Sequence, residues 1–400
     1  MAKGGRGCAR GDWLGPRIAV ASAAMRTFLE FFAGGGMARA GLGPGWRCML
    51  ANDIDPAKAA AYRTNWGGGD MRLADVATLT ARDVPGRAVD LAWASFPCQD
   101  LSLAGSRGGL EAERSGAFWP FWRLIEALIA EGRGPKTVVL ENVAGLLTSN
   151  GGRDFAALGA ALAGAGFRFG AAVIDAVHFT PQSRPRLFVV AFRPAAADRL
   201  GTRADQHAAW TTPALARAVA TLPADVRRAW RPLPLPPPPR RNVDLADVVA
   251  REPTGVPWHS AEETERLLAL MTPLNRAKIE AAQAASGRAV GAVFRRTRPE
   301  PGGGARQRAE VRFDGVAGCL RTPAGGSSRQ TLVVVEAGRV RSRLLSPREA
   351  ARLMGLGDDY ILPERLNPAL HLLGDGVAVG AVRFLAAHVL EPLTAELTPA

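Results

Sequence analysis

Thr27-Phe28-Leu29-Glu30-Phe31-Phe32-Ala33-Gly34-Gly35-Gly36-Met37 begins with aromatic and branched residues, turns on three glycines and enters a helix-forming run from about Met37. Aromatic residues suit a pleated, half-buried strand. Glycines let the backbone approach a ligand, and the N–H groups of a helix start then face it. The stretch predicts a strand, a nucleotide-type turn and a helix, the opening unit of a doubly wound α/β sheet. It is a poor G-x-G-x-x-G, because Arg39 stands at the third glycine position. A dinucleotide ligand is therefore disfavoured.

Working outward, the next strand ends at Asn52-Asp53-Ile54-Asp55, about twenty residues on, where an acidic side chain is placed for ribose hydroxyls. Asp53 is the ribose candidate, and Asp55 before Pro56 reads as a helix cap. Ala74-Asp75-Val76 closes a third element, with a carboxylate suited to an adenine amino group. The apolar run Val89–Ala94 leads into Ser95-Phe96-Pro97-Cys98-Gln99. A cysteine behind a rigid proline just past a buried strand suits a thiolate nucleophile, although a free cysteine is more often a small core residue. Residues 99–117 read as a glycine-, serine- and arginine-rich loop able to close over a phosphate. Phe118, Phe121, Trp122, Ile125, Leu128 and Ile129 recur at helical spacing and read as core. Lys136–Leu140 is a buried parallel strand delivering Glu141, and a helix at 154–165 with strands near 167–176 and 186–192 completes the alternation. In an open α/β sheet such strand ends share one ligand-binding edge.

The chain has 400 residues, a formal charge of +13 and a pI near 10.8, which points to a polyanionic partner. Its bland reading is an arginine-favouring GC-rich genome. Cys8, Cys48, Cys98 and Cys319 lie far apart with no C-x-x-C pair, so neither a metal site nor a disulfide framework is expected, as in a reducing cytoplasm. No apolar run reads as a membrane span.

Residues 1–24 read as a disordered basic tail, 25–193 as a cofactor-binding catalytic domain, and 194–345 as a second, smaller domain introduced by a Pro-rich linker. Pro232–Pro239 is taken as an extended spacer. The arginine-dense segments Phe294–Arg298, Gly302–Arg308 and Cys319–Gln330 are taken as loops for phosphates and base edges, with Ala261–Leu270 helical. Residues 346–400 begin with helix-start chemistry at Ser346-Pro347-Arg348-Glu349 and end in an apolar helix over about 371–393 that packs back on the first domain.

The order of Phe28–Gly36, Pro97-Cys98-Gln99, Glu141-Asn142-Val143 and Gln182-Ser183-Arg184-Pro185-Arg186 resembles the DNA (cytosine-5) methyltransferase family over most of residues 27–390. The resemblance implies a class I methyltransferase fold and S-adenosylmethionine bound at Phe32, Ala33, Gly34, Gly36, Asp53, Ile54, Asp75, Val76 and Asp375. It implies Pro97 and Cys98 as the nucleophile step, Glu141 at N3 and N4 of cytosine, Arg184 at O2, and Arg186 and Gln182 in support. Arg348, Glu349 and Gly355 fall in its penultimate block. Double-stranded DNA is the implied partner, bound by a bacterial cytoplasmic enzyme expected as a monomer. A cognate restriction endonuclease is a partner the resemblance allows. Within the variable region, Arg321–Gln330 is the segment expected to read sequence.

Two departures stand out: Met37 replaces a common glycine, and Asp375 a common asparagine, which leaves open how the methionine part of the cofactor is held. An RNA cytosine-5 methyltransferase would share these motifs, and the arginine-rich insert favours DNA over it. A nicotinamide-dependent oxidoreductase is disfavoured by the glycine pattern. A cysteine hydrolase lacks a histidine in a recognisable motif.

Overall fold

The computed structural model describes residues 25–97, 116–200, 207–299, 303–322 and 329–395. Cys98, the 99–115 part of the expected loop, the 1–24 tail and residues 323–328 of the expected reading segment lie outside the described residues.

Strands β1 (Arg26–Phe31), β2 (Trp46–Asp53), β3 (Met71–Leu73), β4 (Leu91–Ala94), β5 (Thr137–Val143), β6 (Arg168–Asp175) and β7 (Pro185–Phe192) form one sheet in the order β3-β2-β1-β4-β5-β7-β6. β7 runs antiparallel to β5 and β6, and the other pairings are parallel. Helices α1 (Met37–Leu42) and α2 (Pro56–Trp66) pack on one face, and α3 (Phe118–Ala130) and α4 (Arg153–Gly164) on the other. The expected stripe on α3 is core: Phe118, Phe121, Trp122, Ile125 and Leu128 are all buried. The chain winds outward from β1 in one direction and from β4 in the other. Their carboxyl ends therefore border the switch-point crevice where such sheets bind ligands.

Ahead of the Pro232–Pro239 run the chain forms α5 (Pro213–Ala220) and α6 (Ala224–Arg227), and from Ala229 onward it covers the exposed edge of β6. Phe169 donates its N–H to Ala229 O at 3.0 Å, and Arg231 N–H returns to Phe169 O at 2.8 Å. Leu233 and Leu235 alternate inward and are buried. The prolines hide this period-two pattern, and an edge strand needs a cover of this kind.

After α7 (Leu245–Val248) comes a four-stranded antiparallel sheet that takes up Phe294–Arg298 and most of Gly302–Arg308, both expected as loops, whereas the described residues of Cys319–Gln330 lie outside its strands, as expected. It comprises β8 (Arg288–Pro299), β9 (Ala305–Arg312), β10 (Thr331–Glu336) and β11 (Arg339–Leu344) in the order β11-β10-β8-β9. Helices α8 (Ala261–Ala269) and α9 (Pro273–Ala284) bury one face of it through Leu267, Met271, Ile279, Val293, Val311 and Val333. The periodicity is legible only at the inner ends of β8 and β9, because the outer positions carry polar residues on both faces, arginine chiefly on one.

At the C-terminus, α10 (Pro347–Leu353) starts at the Ser346/Glu349 capping box, as its sequence predicts. The single helix expected over 371–393 is broken: α11 (Leu366–Asp375) ends at Asp375 and α12 (Val379–Leu385) starts three residues past Gly376. Leu366–Thr394 as a whole is apolar enough by composition to pass for a membrane span. Its break and its packing mark it as core, since a Cβ on Gly41 of α1 would lie 2.4 Å from Val382 of α12.

Candidate active site

The glycine turn is held from four directions. Phe32 adopts φ +56°, a left-handed conformation that is uncommon for a non-glycine residue and costs about 1–3 kcal/mol. Gly34 N–H donates to Asp53 Oδ2 at 2.8 Å, and Asp55 N–H to Asp53 Oδ1 at 2.8 Å. Gly35 O accepts from Trp66 Nε1 at 2.9 Å and from the Tyr360 hydroxyl at 2.8 Å. A Cβ on Gly35 would lie 2.2 Å from that hydroxyl oxygen, so only glycine fits. From beneath, the buried Glu30 accepts from the N–H groups of Ala38 and Arg39 and so fixes the first turn of α1. Burial pushes the Glu30 carboxyl up to about 8. Tyr360, Trp66 and Glu30 escaped the sequence reading because their contacts are long-range or lie on the hidden side of a strand.

Around this turn the predicted cofactor residues converge. Gly34 opens onto empty space, and a Cβ there would meet nothing within 4 Å. Ile54 is 64 % exposed although apolar, whereas Val76, which follows Asp75, is buried. Asp75 accepts one backbone bond, from Ala77 N–H at 2.9 Å, and Asp55 caps α2 as expected through Ala57 and Lys58 N–H. A carboxylate has about four lone-pair sites. Asp53 and Asp75 therefore keep acceptor capacity beyond the backbone bonds they make. Asp375 pairs with Lys58 Nζ at 2.7 Å, so one of its oxygens is already engaged.

Strand register assembles the other side of the crevice. Ala94 pairs with Leu140 and Glu141 with Phe188. Extending the first register by one brings Ser95 beside Glu141, and residues two apart on a strand share a face, which brings Arg186 there as well. Arg186 Nε lies 3.4 Å from Glu141 Oε1. Burial raises the Glu141 pKa, against the lowering effects of Arg186, Arg184 and a Ser95 hydrogen bond. Glu141 lies within β5 rather than beyond its end. On the opposite face, Asn142 Nδ2 donates to Phe96 O at 2.9 Å and its Oδ1 accepts from Val143 N–H at 2.8 Å. Asn142 thus fixes the backbone immediately before the exposed Pro97. The sequence showed this asparagine only as a neighbour of Glu141.

The Gln-x-Arg-x-Arg segment divides differently from expectation. Arg184 is buried and donates to Leu320 O at 2.9 Å, Gly374 O at 2.8 Å and Gly376 O at 2.6 Å, with Cys319 Sγ at 3.4 Å. Those donors are not left for a substrate carbonyl, and Arg186 is the arginine in contact with Glu141. Gln182 is fully buried, donates to Leu353 O at 2.8 Å and accepts from Leu320 N–H at 3.1 Å. Within the expected reading segment, Gln330 is likewise structural: it accepts from Gly318 N–H and donates to Val293 O, each at 3.0 Å.

A glycine turn and acidic strand ends on one side of a switch point, facing a buried glutamate paired with a half-buried arginine on the other, make this an α/β enzyme of the class I methyltransferase type. The C-5 cytosine-specific DNA methylase family model matches residues 26–391, and the chain belongs to that family. Type II methyltransferase M.HpaII of Haemophilus parainfluenzae is 25 % identical over 386 residues, 92 % of this chain and 90 % of that protein. M.BsuFI of Bacillus subtilis is 32 % identical over 170 residues, but these span 42 % of this chain and only 39 % of that protein. The fold is shared with the S. pombe Dnmt2 methyltransferase, at a TM-score of 0.52 and 17 % identity over 92 % of this chain and 99 % of that one.

Proposed function

We propose that this protein methylates C5 of a cytosine flipped out of duplex DNA, with S-adenosylmethionine as donor. The carrying observation is the pairing of buried Glu141 with half-buried Arg186 across the switch-point crevice from an open glycine turn. The turn fits the donor: Phe32, Ala33, Gly34 and Gly36 supply a close backbone, Asp53 the ribose acceptor, Asp75 an acceptor for the adenine amino group, and exposed Ile54 with Val76 an apolar face. Asp375 offers its second oxygen to the methionine ammonium while holding Lys58. When bound, the donor supplies an electrophilic methyl group.

This chain's residues make the cytosine able to accept it. Carbon-5 is a weak nucleophile until the Cys98 thiolate adds to C6, forming an S–C6 bond and moving electron density to C5 and N3. Glu141, whose raised pKa favours its protonated form, donates to N3 as that charge develops, and Arg186 faces O2. After C5 gains the methyl group, its proton passes to solvent, the freed pair forms the C5–C6 double bond as the S–C6 bond breaks and expels the Cys98 thiolate, and N3 returns its proton to Glu141. Pro97 and Asn142 position the nucleophile, and Gln182 and Arg184 brace the wall behind Arg186. The target base leaves the helix because neither Cys98 nor Glu141 can reach it in the stack.

The names of the Type II relatives place them in restriction–modification. We carry that context over as a cytoplasmic monomer acting on DNA, with a cognate endonuclease as partner. Bisulfite sequencing of DNA from cells expressing the protein should show one methylated sequence context. Cys98→Ser should lose the covalent adduct on a 5-fluorocytosine duplex while still binding it. Methylation of tRNA but not duplex DNA would overturn the substrate assignment.

A further inference from the structure

Like charges stand in register on the β8–β9 hairpin. Arg296 pairs with Arg308 and Arg298 with Arg306, on the same face as Phe294 opposite Glu310 and Ala292 opposite Arg312. Five guanidiniums therefore share one face with a single carboxylate among the described residues of that ladder. Glu310 lies 3.5 Å from Arg296 Nε and 2.5 Å from Arg298 Nη2, and exposed pairs of this kind contribute only about 0–1 kcal/mol. Like charges directly opposed weaken an antiparallel pair. Packing does not call for them: the sheet buries apolar residues on its other face under α8 and α9, and on the arginine face only at its inner end, through Val290, Ala292, Leu332 and Val334.

The arginine face borders a groove of about 500 Å³, with Lys278 and the exposed Leu274 of α9 on its far side. Phe294 lies in its lining, with the Arg296 and Arg312 guanidiniums 6.0 and 5.7 Å from its ring centre. At its inner end the groove meets the active-site wall: a Cβ on Gly318 would lie 2.5 Å from the Phe294 ring, and two residues on, Leu320 O holds Arg184. The positive face thus runs outward from the site that would receive the flipped base.

We propose that this face docks the sugar–phosphate backbone of the DNA flanking the target, supplying affinity and salt dependence rather than sequence choice. The inference rests on the DNA reading above. Charge complementarity selects the occupant, since guanidiniums recognise phosphate oxygens bidentately and a face so dominated by one sign fits a polyanion. Contacts to phosphate position a protein on DNA but carry no base information.

The test replaces Arg296, Arg298, Arg306 and Arg308 together with Gln, and in a second protein with Lys. Affinity for a non-target duplex is followed by fluorescence anisotropy from low to moderate salt. The Gln protein should bind more weakly, with a log–log salt slope shallower by about 0.9 for each phosphate it no longer neutralises. The Lys protein should keep most of the slope, and bisulfite profiles of both should show the wild-type target sequence. Urea unfolding of the Gln protein should be unchanged or shifted upward, because opposed like charges are gone. A wild-type slope in the Gln protein overturns the inference and leaves the methylation reading standing. An altered target sequence overturns it in favour of base reading, and a larger loss on RNA than on duplex DNA overturns the choice of occupant. A shallower slope in the Gln protein, from a parent that methylates no duplex cytosine, supports docking and overturns the methylation reading instead.

Discussion

Arg343→Met should destabilise the protein by about 3 kcal/mol at neutral pH, the lower end of the range for breaking a buried ion pair. Arg343 and Glu349 are 0 % and 1 % exposed and meet through two bonds, Nη2 to Oε1 at 2.7 Å and Nη1 to Oε2 at 2.8 Å. They tie β11 to the first turn of α10, where the small domain returns to the catalytic one. Removing the guanidinium leaves a buried carboxylate, the costly half of such a pair. The lower end applies because Glu349 keeps two backbone donors, Ala250 N–H and Ser346 N–H, each at 2.8 Å. Trp258, whose ring centre is 5.0 Å from the Arg343 guanidinium carbon, gives a local fluorescence signal for urea unfolding.

The pH dependence has a definite sign. Burial works against the Glu349 anion, but the Arg343 hydrogen bonds and the Ser346 amide outweigh it and hold the pKa below the ordinary carboxylate value. A depressed carboxyl contributes stability above its unfolded pKa and loses it as pH falls through the folded one. Without Arg343 the folded pKa rises, so the deficit of the Met variant should shrink on acidification towards pH 4, about the unfolded carboxyl value. Adding Glu349→Gln should then cost little more, with a coupling well above the roughly 0.5 kcal/mol seen for independent sites. A loss under about 1 kcal/mol at pH 7, as an exposed pair would give, would refute the reasoning. Additive single effects would refute it as well.

Two further outcomes concern the catalytic side. Methyl transfer should decline as pH rises through the raised Glu141 pKa, and Arg186→Gln should move that limb to higher pH because a charge favouring the anion is gone. A kcat profile in which the limb stays put would separate the two side chains. Asn142→Ala removes the buried bond to Phe96 O, so a loss of about 1–3 kcal/mol is expected. Adduct formation on a 5-fluorocytosine duplex should slow while duplex affinity holds, and unchanged adduct kinetics would deny Asn142 its positioning role.

What was legible in the sequence followed local periodicity. The strand–glycine–helix unit, the Asp55 and Ser346 caps and the α3 stripe each rest on neighbours within one turn or one strand, and each is found where its residues predict. The failures have an equally local cause. In β8 and β9 most outward positions and the inward Arg295 are arginine, so the alternation that marks a strand is lost at Phe294–Arg298. In the Pro232–Pro239 run, proline chemistry conceals two buried leucines. The apolar pattern near Gly374 continues across a break that only packing reveals: a Cβ on Gly376 would lie 2.2 Å from Met37 Sδ. The chain thus leaves α11 in close approach to the side chain of Met37, the departure at the helix start.

The division within Gln182–Arg186 was beyond sequence reading for a different reason. All three polar side chains fall at alternate positions, so alternation alone gives them one face and one role. Their surroundings separate them. Gln182 and Arg184 precede or begin the turn into β7, where carbonyls from Leu320, Leu353, Gly374 and Gly376 converge on them from the small domain and the C-terminal block. Arg186 lies within β7, and its register with β5 directs it to Glu141. One five-residue segment therefore holds the chain that packs near the glycine turn, the chain that leads to the arginine face, and the arginine that meets Glu141. Loss of Arg184 should disturb all three at once, whereas loss of Arg186 should leave cofactor and duplex affinity intact and depress only the chemical step. Comparing the two variants for donor binding, duplex binding and single-turnover methylation separates a brace from a catalytic group. Equal loss of donor binding in both variants would mean that the division drawn from the hydrogen bonds does not govern function.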